Sequence, residues 1–344
     1  GLLGGGIALF DPVSQNVVYH MGKLNNIQIQ AIIPTGEVLW LSATNHGLIK
    51  YSPKTKTLKT FTFDENNVFQ NMAMDSKGNL WIDQNGESLL FFDTVKESFK
   101  AFTADDGLLS EWMVKIFIDS KDRVIIGHSS GGITIYDQAL NEFRTIKPHS
   151  NGLLSGKIYD IKEDSAGNLF FATLNGLTRF DQKNNTFTNV TKGNGLASNT
   201  INAVEEDSTG QLWLFSNQSV SKISPDNNVR NYTTNDGLPF NLATDHCSLI
   251  DSDGHLYLGG SEGLTYFHPD WLIDNPKKPA VKIIDLLFRD PKSQTFQSAR
   301  LDEPIYKKKS IVLDATQSPF ALEFSALSFT HSLSNQYAYK LIGF

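Results

Sequence analysis

The sequence predicts an all-β chain built mainly as a seven-bladed β-propeller, and three observations predict it. A turn motif returns at a nearly fixed period: Asp75, Asp119, Asp164, Asp207 and Asp251 lie 44, 45, 43 and 44 residues apart, each shortly before a Gly-x-Leu-aromatic-like run. A second, independent ruler runs through Phe10, Tyr51, Phe92, Tyr136, Phe180, Ile223 and Phe267, spaced 41, 41, 44, 44, 43 and 44 residues apart. Five of those seven have Gly four residues earlier (Gly6, Gly47, Gly132, Gly176, Gly263), while Ser88 and Ser219 stand in the other two places. Finally, one period, Lys157 to Val190, holds four β-prone runs of four to six residues bounded by Gly/Asn/Asp/Ser clusters. That is the pattern of four antiparallel strands joined by tight turns, and four strands per period of about 40 to 45 residues are a propeller blade.

Taken in order, residues 1–20 are the remains of blade one, in which Gly1 to Asp11 match the end of a second strand, a loop and a third strand, so blade one is truncated and its first one or two strands are expected upstream in a longer polypeptide. Blades two to six are expected at 26–66, 68–105, 110–150, 155–193 and 198–236. Blade seven, 239–270, shows three strands and ends in His268-Pro269-Asp270-Trp271. In the first strands apolar residues fall three apart, as in Met113/Ile116, Ile158/Ile161 and Ile201/Val204. A strict period of two does not produce that spacing, and a β-bulge does. The repeat ends before Asn275-Pro-Lys-Lys-Pro279, which divides a propeller at 1–274 from a second β unit at 280–344. There Val281 to Phe288, Ser310 to Leu313 and Phe320 to Leu327 are expected strands without blade period, the first part of an immunoglobulin-like β-sandwich.

Composition narrows the function. With 344 residues and 40% hydrophobic content the chain can bury large cores. The net charge is -7 and the longest basic run is Lys307-Lys308-Lys309, too short for a nucleic-acid footprint. The single cysteine, Cys247, falls in an expected inner strand and reads as a small buried hydrophobe. The eight histidines lack metal-ligand spacing, and Asp251-Ser-Asp-Gly254 aligns with the hairpin turns of the other blades and so reads as a turn and not a calcium loop. No metal site or cofactor is expected. The Asp-Ser-x-Gly turns also occur in sialidases, but those enzymes need three converging arginines. Of the six here, Arg144 and Arg230 fall on outer strands, Arg123 on the turn face, and Arg289 and Arg300 beyond the propeller, so no catalytic residue is assigned.

The recurring Asp-Ser-x-Gly-Asn-Leu-Trp (75–81), Asp-Ser-Ala-Gly-Asn-Leu-Phe (164–170) and Asp-Ser-Thr-Gly-Gln-Leu-Trp (207–213), with Asn-Gly-Leu or Asp-Gly-Leu before the next blade, resemble two-component regulator propeller repeats. Tyr337-Ala-Tyr339-Lys-Leu341 resembles the Tyr-x-Tyr-x-Leu motif of the β-sandwich that follows such propellers. Together they resemble the periplasmic sensor region of Bacteroides-type hybrid two-component systems. That resemblance implies a carbohydrate-sensing receptor, dimeric through the sandwich, in a membrane-anchored protein carrying a histidine kinase and regulating transcription. A protein-interaction propeller and, more remotely, a carbohydrate-active enzyme are the alternatives.

In a propeller the loops from fourth to first strand and from second to third share one face. The Asp-Ser-x-Gly turns on the other face are monotonous. The variable face gathers Glu111, Trp112, His128, Asn175, Asn199, Asn217, Gln218 and Asn241, an aromatic that can stack on a sugar and polar groups that can bond hydroxyls. These are the expected ligand-binding residues. Each also has a structural reading, with the asparagines capping turns and Trp112 packing between blades.

Overall fold

The computed structural model describes residues 5–20, 22–65, 67–109, 112–149, 152–239, 247–261, 263–272, 280–290, 294–314, 317–326, 337–340 and 342. By its internal contacts the chain divides into two compact units, Gly1–Pro269 and Asp270–Phe344. The expected junction Asn275 to Pro279 lies outside the described residues.

In the first unit, five sheets have four antiparallel strands each in simple up-and-down order. Blade two is Ile29–Thr35, Val38–Ala43, Gly47–Ser52 and Thr57–Phe61; blade three is Met72–Met74, Leu80–Gln84, Ser88–Asp93 and Ser98–Phe102. Blade four is Met113–Ile118, Val124–His128, Ile133–Asp137 and Glu142–Ile146; blade five is Ile158–Glu163, Leu169–Thr173, Gly176–Asp181 and Thr186–Val190. Blade six is Ala203–Glu206, Leu212–Phe215, Ser219–Ile223 and Val229–Thr233. Blade seven has three strands, Ser248–Ile250, Leu256–Gly260 and Gly263–Phe267, and blade one has two, Ala8–Asp11 and Asn16–His20. The repeat pattern thus places every blade where the sequence predicts it.

The bulge is also there. Ile29 pairs with Ala43 but Ala31 with Ser42, Met113 with His128 but Lys115 with Gly127, and Ile158 with Thr173 but Asp160 with Ala172. In blade six the amide of Asn202 donates to the carbonyl of Phe215, which also pairs with Ala203. In blades two, four, five and six the innermost strand therefore sets two residues against one at the same place. The extra residue inverts the alternation, so that residues three apart face the same neighbour. Ile158 and Ile161 accordingly pack onto blade four with Ile125, Ile133 and Ile146, and Ile201 and Val204 onto blade five with Phe170 and Leu177.

The turn aspartates hold the hairpins through their side chains. Asp164 Oδ1 accepts the amides of Ala166 (3.0 Å) and Asn168 (2.7 Å), and Asp207 Oδ1 those of Thr209 (2.9 Å) and Gln211 (3.1 Å). Asp251 accepts the amides of Asp253 (3.0 Å) and His255 (2.9 Å), so Asp251-Ser-Asp-Gly254 is a hairpin turn like the rest. Those turns also join neighbouring blades, since the Ser76 amide donates to Asp122 Oδ1 at 2.8 Å and Ser120 donates twice to Glu163. The glycine that opens the third strand is required by a close approach. At Gly132 (φ 90°) a Cβ would lie 2.3 Å from the Ile146 carbonyl oxygen, and at Gly176 (φ 121°) 2.5 Å from that of Val190.

The cores lie between blades. Trp81 packs with Met113, Ile116, Val124 and Tyr136 of blade four, and Trp213 stacks on Tyr232 and meets Phe267 of blade seven edge-on at 5.7 Å. Trp81, Phe170 and Trp213 are therefore blade-to-blade core, as their recurrence at one position predicts. Blade one packs on blade two through Ile7, Leu24, Leu41 and Ile49. It meets blade seven through Phe10 and Tyr266, whose rings stand edge to face at 5.6 Å, so that the ring closes on the third strands. Cys247 corrects the sequence reading: it is exposed, immediately before the first strand of blade seven.

The second unit is a three-stranded antiparallel sheet with Val281–Arg289 at its centre, flanked by Phe296–Ser298 and Phe320–Ala326. The strand expected over Ser310 to Leu313 does not form. Those residues are irregular, and Val312 is 91% exposed because no sheet face receives it. Tyr337 accepts the amide of Ala326 on its hydroxyl (3.0 Å) and meets Phe324 edge-on at 5.2 Å.

Candidate functional site

The residues expected on the variable face are distributed around it, each in its own local setting. Trp112 is 55% exposed and lies over the turn of blade three, where a Cβ on Gly86 would come within 3.2 Å of its ring. Asn199 Oδ1 accepts the Lys192 amide (2.8 Å) at the head of the turn Lys192–Asn194, and Asn217 Oδ1 accepts Asn202 Nδ2 (2.8 Å). Asn175 donates to the Leu154 carbonyl at 3.4 Å, and Gln218 is exposed. His128 is corrected: it is fully buried, Nε2 2.9 Å from Thr134 Oγ1, because its place in the second strand points the ring into the blade and not outward. Glu111 and Asn241 lie outside the described residues.

A second feature lies on the propeller axis. The first strands are innermost in their sheets, and those of successive blades are neighbours. A cavity of about 430 Å³ is lined only by first-strand residues of blades two, three and four, among them Gln30, Ile32, Asn71, Met74, Lys115 and Phe117. This is within the range of small-molecule sites, about 300 to 1,000 Å³.

Beyond the cavity the innermost strands carry paired charges. Lys115 Nζ is 2.7 Å from Asp160 Oδ1, and Asp160 Oδ2 accepts the Val204 amide at 3.1 Å, so one carboxylate ties blades four, five and six. Lys162 Nζ donates to Glu205 Oε2 (2.8 Å), whose other oxygen accepts from the Ser248 hydroxyl (2.9 Å), tying blades five, six and seven. Burial alone would lower the Lys115 pKa, but Asp160, with Glu205 and Cys247 further off, outweighs it and holds the ammonium charged. In blade three the amide of Asp83 donates to the carbonyl of Asn71 at 2.9 Å. Asp83 is fully buried, with Oδ1 accepting the Gly86 amide (2.8 Å). Burial raises its pKa to about 7, opposed by hydrogen bonds from Gly86 and from the side chain of Asn71.

The axial residues were missed in the sequence. The available signal was the group Lys115, Asp160, Lys162 and Glu205, charges at fixed offsets before the turn aspartate in strands that are otherwise apolar. Among the described residues no group of His, Cys, Asp and Glu is placed to hold a metal ion.

Fold and axis define a closed β-propeller with a small axial cavity, followed by a second β unit. No protein-family model matches the chain. Over 339 residues, 93% of the chain, it is 29% identical to histidine kinase P4 of Formosa agariphila, of which it spans 22%. In structure it is similar to the extracellular domain of the hybrid two component system BT3049 of B. thetaiotaomicron, with a TM-score of 0.74 and 24% identity over 97% of this chain and 45% of that one. It also resembles the virginiamycin B lyase of Staphylococcus aureus, with a TM-score of 0.56 and 10% identity over 74% of this chain and 84% of the lyase. The chain therefore spans under a quarter of the kinase and under half of the two-component system's extracellular domain, and its likeness to that domain and to the lyase is one of fold.

Proposed function

We propose that the chain is part of the extracytoplasmic, periplasmic sensing region of a membrane-anchored hybrid two-component histidine kinase. It detects a polysaccharide-derived oligosaccharide and transmits through the second β unit, which forms the dimer, to a kinase that controls transcription. One observation carries this reading: the order propeller, then second β unit, is matched along almost the whole chain by a histidine kinase and by the extracellular domain of a hybrid two-component system. A ligand signals only if it binds one arrangement of the receptor better than another. The chain therefore contributes binding and movement and no chemistry of its own. The test is autophosphorylation of the full-length protein in membranes, with and without candidate oligosaccharides. The expected result is a ligand-dependent rate with no change in the sugar. Turnover of the sugar by the purified chain would replace the sensor by an enzyme.

A further inference from the structure

We propose that the axial cavity of blades two, three and four is the subsite for an uncharged glycosyl unit, whose ring lies against Phe117, Met74 and Ile32 and whose hydroxyls bond Gln30 and Asn71. This rests on the sensor reading and locates its ligand. Three observations carry it.

The cavity wall combines apolar and amide groups, as a sugar requires: C–H faces of the ring meet an aromatic, a thioether and branched aliphatic groups, and hydroxyls meet side-chain amides. One of the amides is also ordered in advance: Gln30 Nε2 donates to Thr44 Oγ1 at 2.9 Å, so little of its side-chain freedom is lost on binding. Lastly, the axial charges cancel. Lys115 with Asp160 and Lys162 with Glu205 make two cations against two carboxylates, each paired at 2.8 Å or closer. The one charged residue in the cavity wall is Lys115, already paired with Asp160 at 2.7 Å, so an anionic sugar would find no spare cation there, which selects against uronates and sulfated sugars.

Calorimetry on the chain with cellotetraose, xylotetraose and laminaritetraose, and with tetragalacturonate as the charged probe, tests the proposal. At least one neutral probe is expected to bind and tetragalacturonate is not. Ile32→Trp, which fills the cavity from a residue already 36% exposed, is expected to lower affinity at least tenfold, and Gln30→Ala about fivefold, while the rim variant Gln218→Ala leaves it unchanged. Melting curves check that each variant is folded. Undiminished binding by Ile32→Trp, or loss on Gln218→Ala, would overturn the axial site. If the same probe still stimulates autophosphorylation of the full-length protein, the sensor reading stands without it. Binding of tetragalacturonate alone overturns the charge argument, and no binding by any probe overturns both site and sugar sensing.

Discussion

Asp83 stands where four other blades carry small residues and blade six carries Phe215. It pairs with Leu89 as Ser42 pairs with Leu48, Gly127 with Ile133, Ala172 with Leu177 and Gly259 with Leu264. Its folded pKa, about 7, is above its ordinary value of 3.8, so the native state holds the proton more tightly than the unfolded chain. The stability this gives is present in full below pH 3.8 and is lost as pH rises toward about 7, at up to about 1.4 kcal/mol per pH unit. Asp83→Asn is expected to flatten the dependence of the thermal midpoint on pH over that window and to melt higher than the parent above it. An unchanged profile would mean that Asp83 keeps its charge at no cost. Gly132→Ala tests backbone strain: with φ at 90° and a carbonyl 2.3 Å from the new Cβ, it is expected to cost well over about 1 kcal/mol in denaturant unfolding. The importance of Gly132 was legible because a glycine recurs four residues before five of the seven third-strand landmarks. The burial of His128 was not, because a histidine in a strand end carries no local sign of the side to which it turns.

At the scale of the element, the first strands join fold and site. Asp160→Ala removes one partner from a largely buried pair and leaves Lys115 uncompensated, for an expected loss on the order of 3 kcal/mol. Replacing both, Lys115→Met with Asp160→Leu, is expected to recover most of that loss. A double-mutant cycle in urea measures the coupling, and a double variant as unstable as the single one would show that Asp160 acts chiefly through the Val204 amide. The fourth-to-first connections follow from local chemistry. Thr191 and Asn194 form a reciprocal cap, Gly195 takes φ 106°, and Leu196 enters the core. This is the Thr-x-x-Asn-Gly-Leu string, and it was legible as a turn from sequence alone. The spacing of three in the first strands likewise foretold the bulge. Which side chains the bulge turns toward the axis depends on contacts between blades some 44 residues apart, and a local pattern does not contain these.

For the molecule as a whole, a ring of blades is an array in which each unit meets only its neighbours, and the Phe10–Tyr266 contact joins first to last. Phe10→Ala is expected to raise hydrogen exchange in blades one and seven, Ala8–His20 and Ser248–Phe267, while blades three to five keep their protection; a uniform rise would show the ring to open as one body. The number and order of blades were legible because the repeat restates them at two landmarks. The axial site was not, since no single repeat contains it. The shared bulge separates two kinds of heritable change. Residues three apart, such as Ile158 and Ile161, answer to the neighbouring blade, whereas Ala31, Asn71, Lys115 and Asp160, just past the extra residue, hold one position yet differ in size and charge. Mutation at that one position can therefore redraw the lining of the axis blade by blade while the scaffold persists, so a lineage of such propellers has a route to a new axial surface that does not pass through unfolded intermediates.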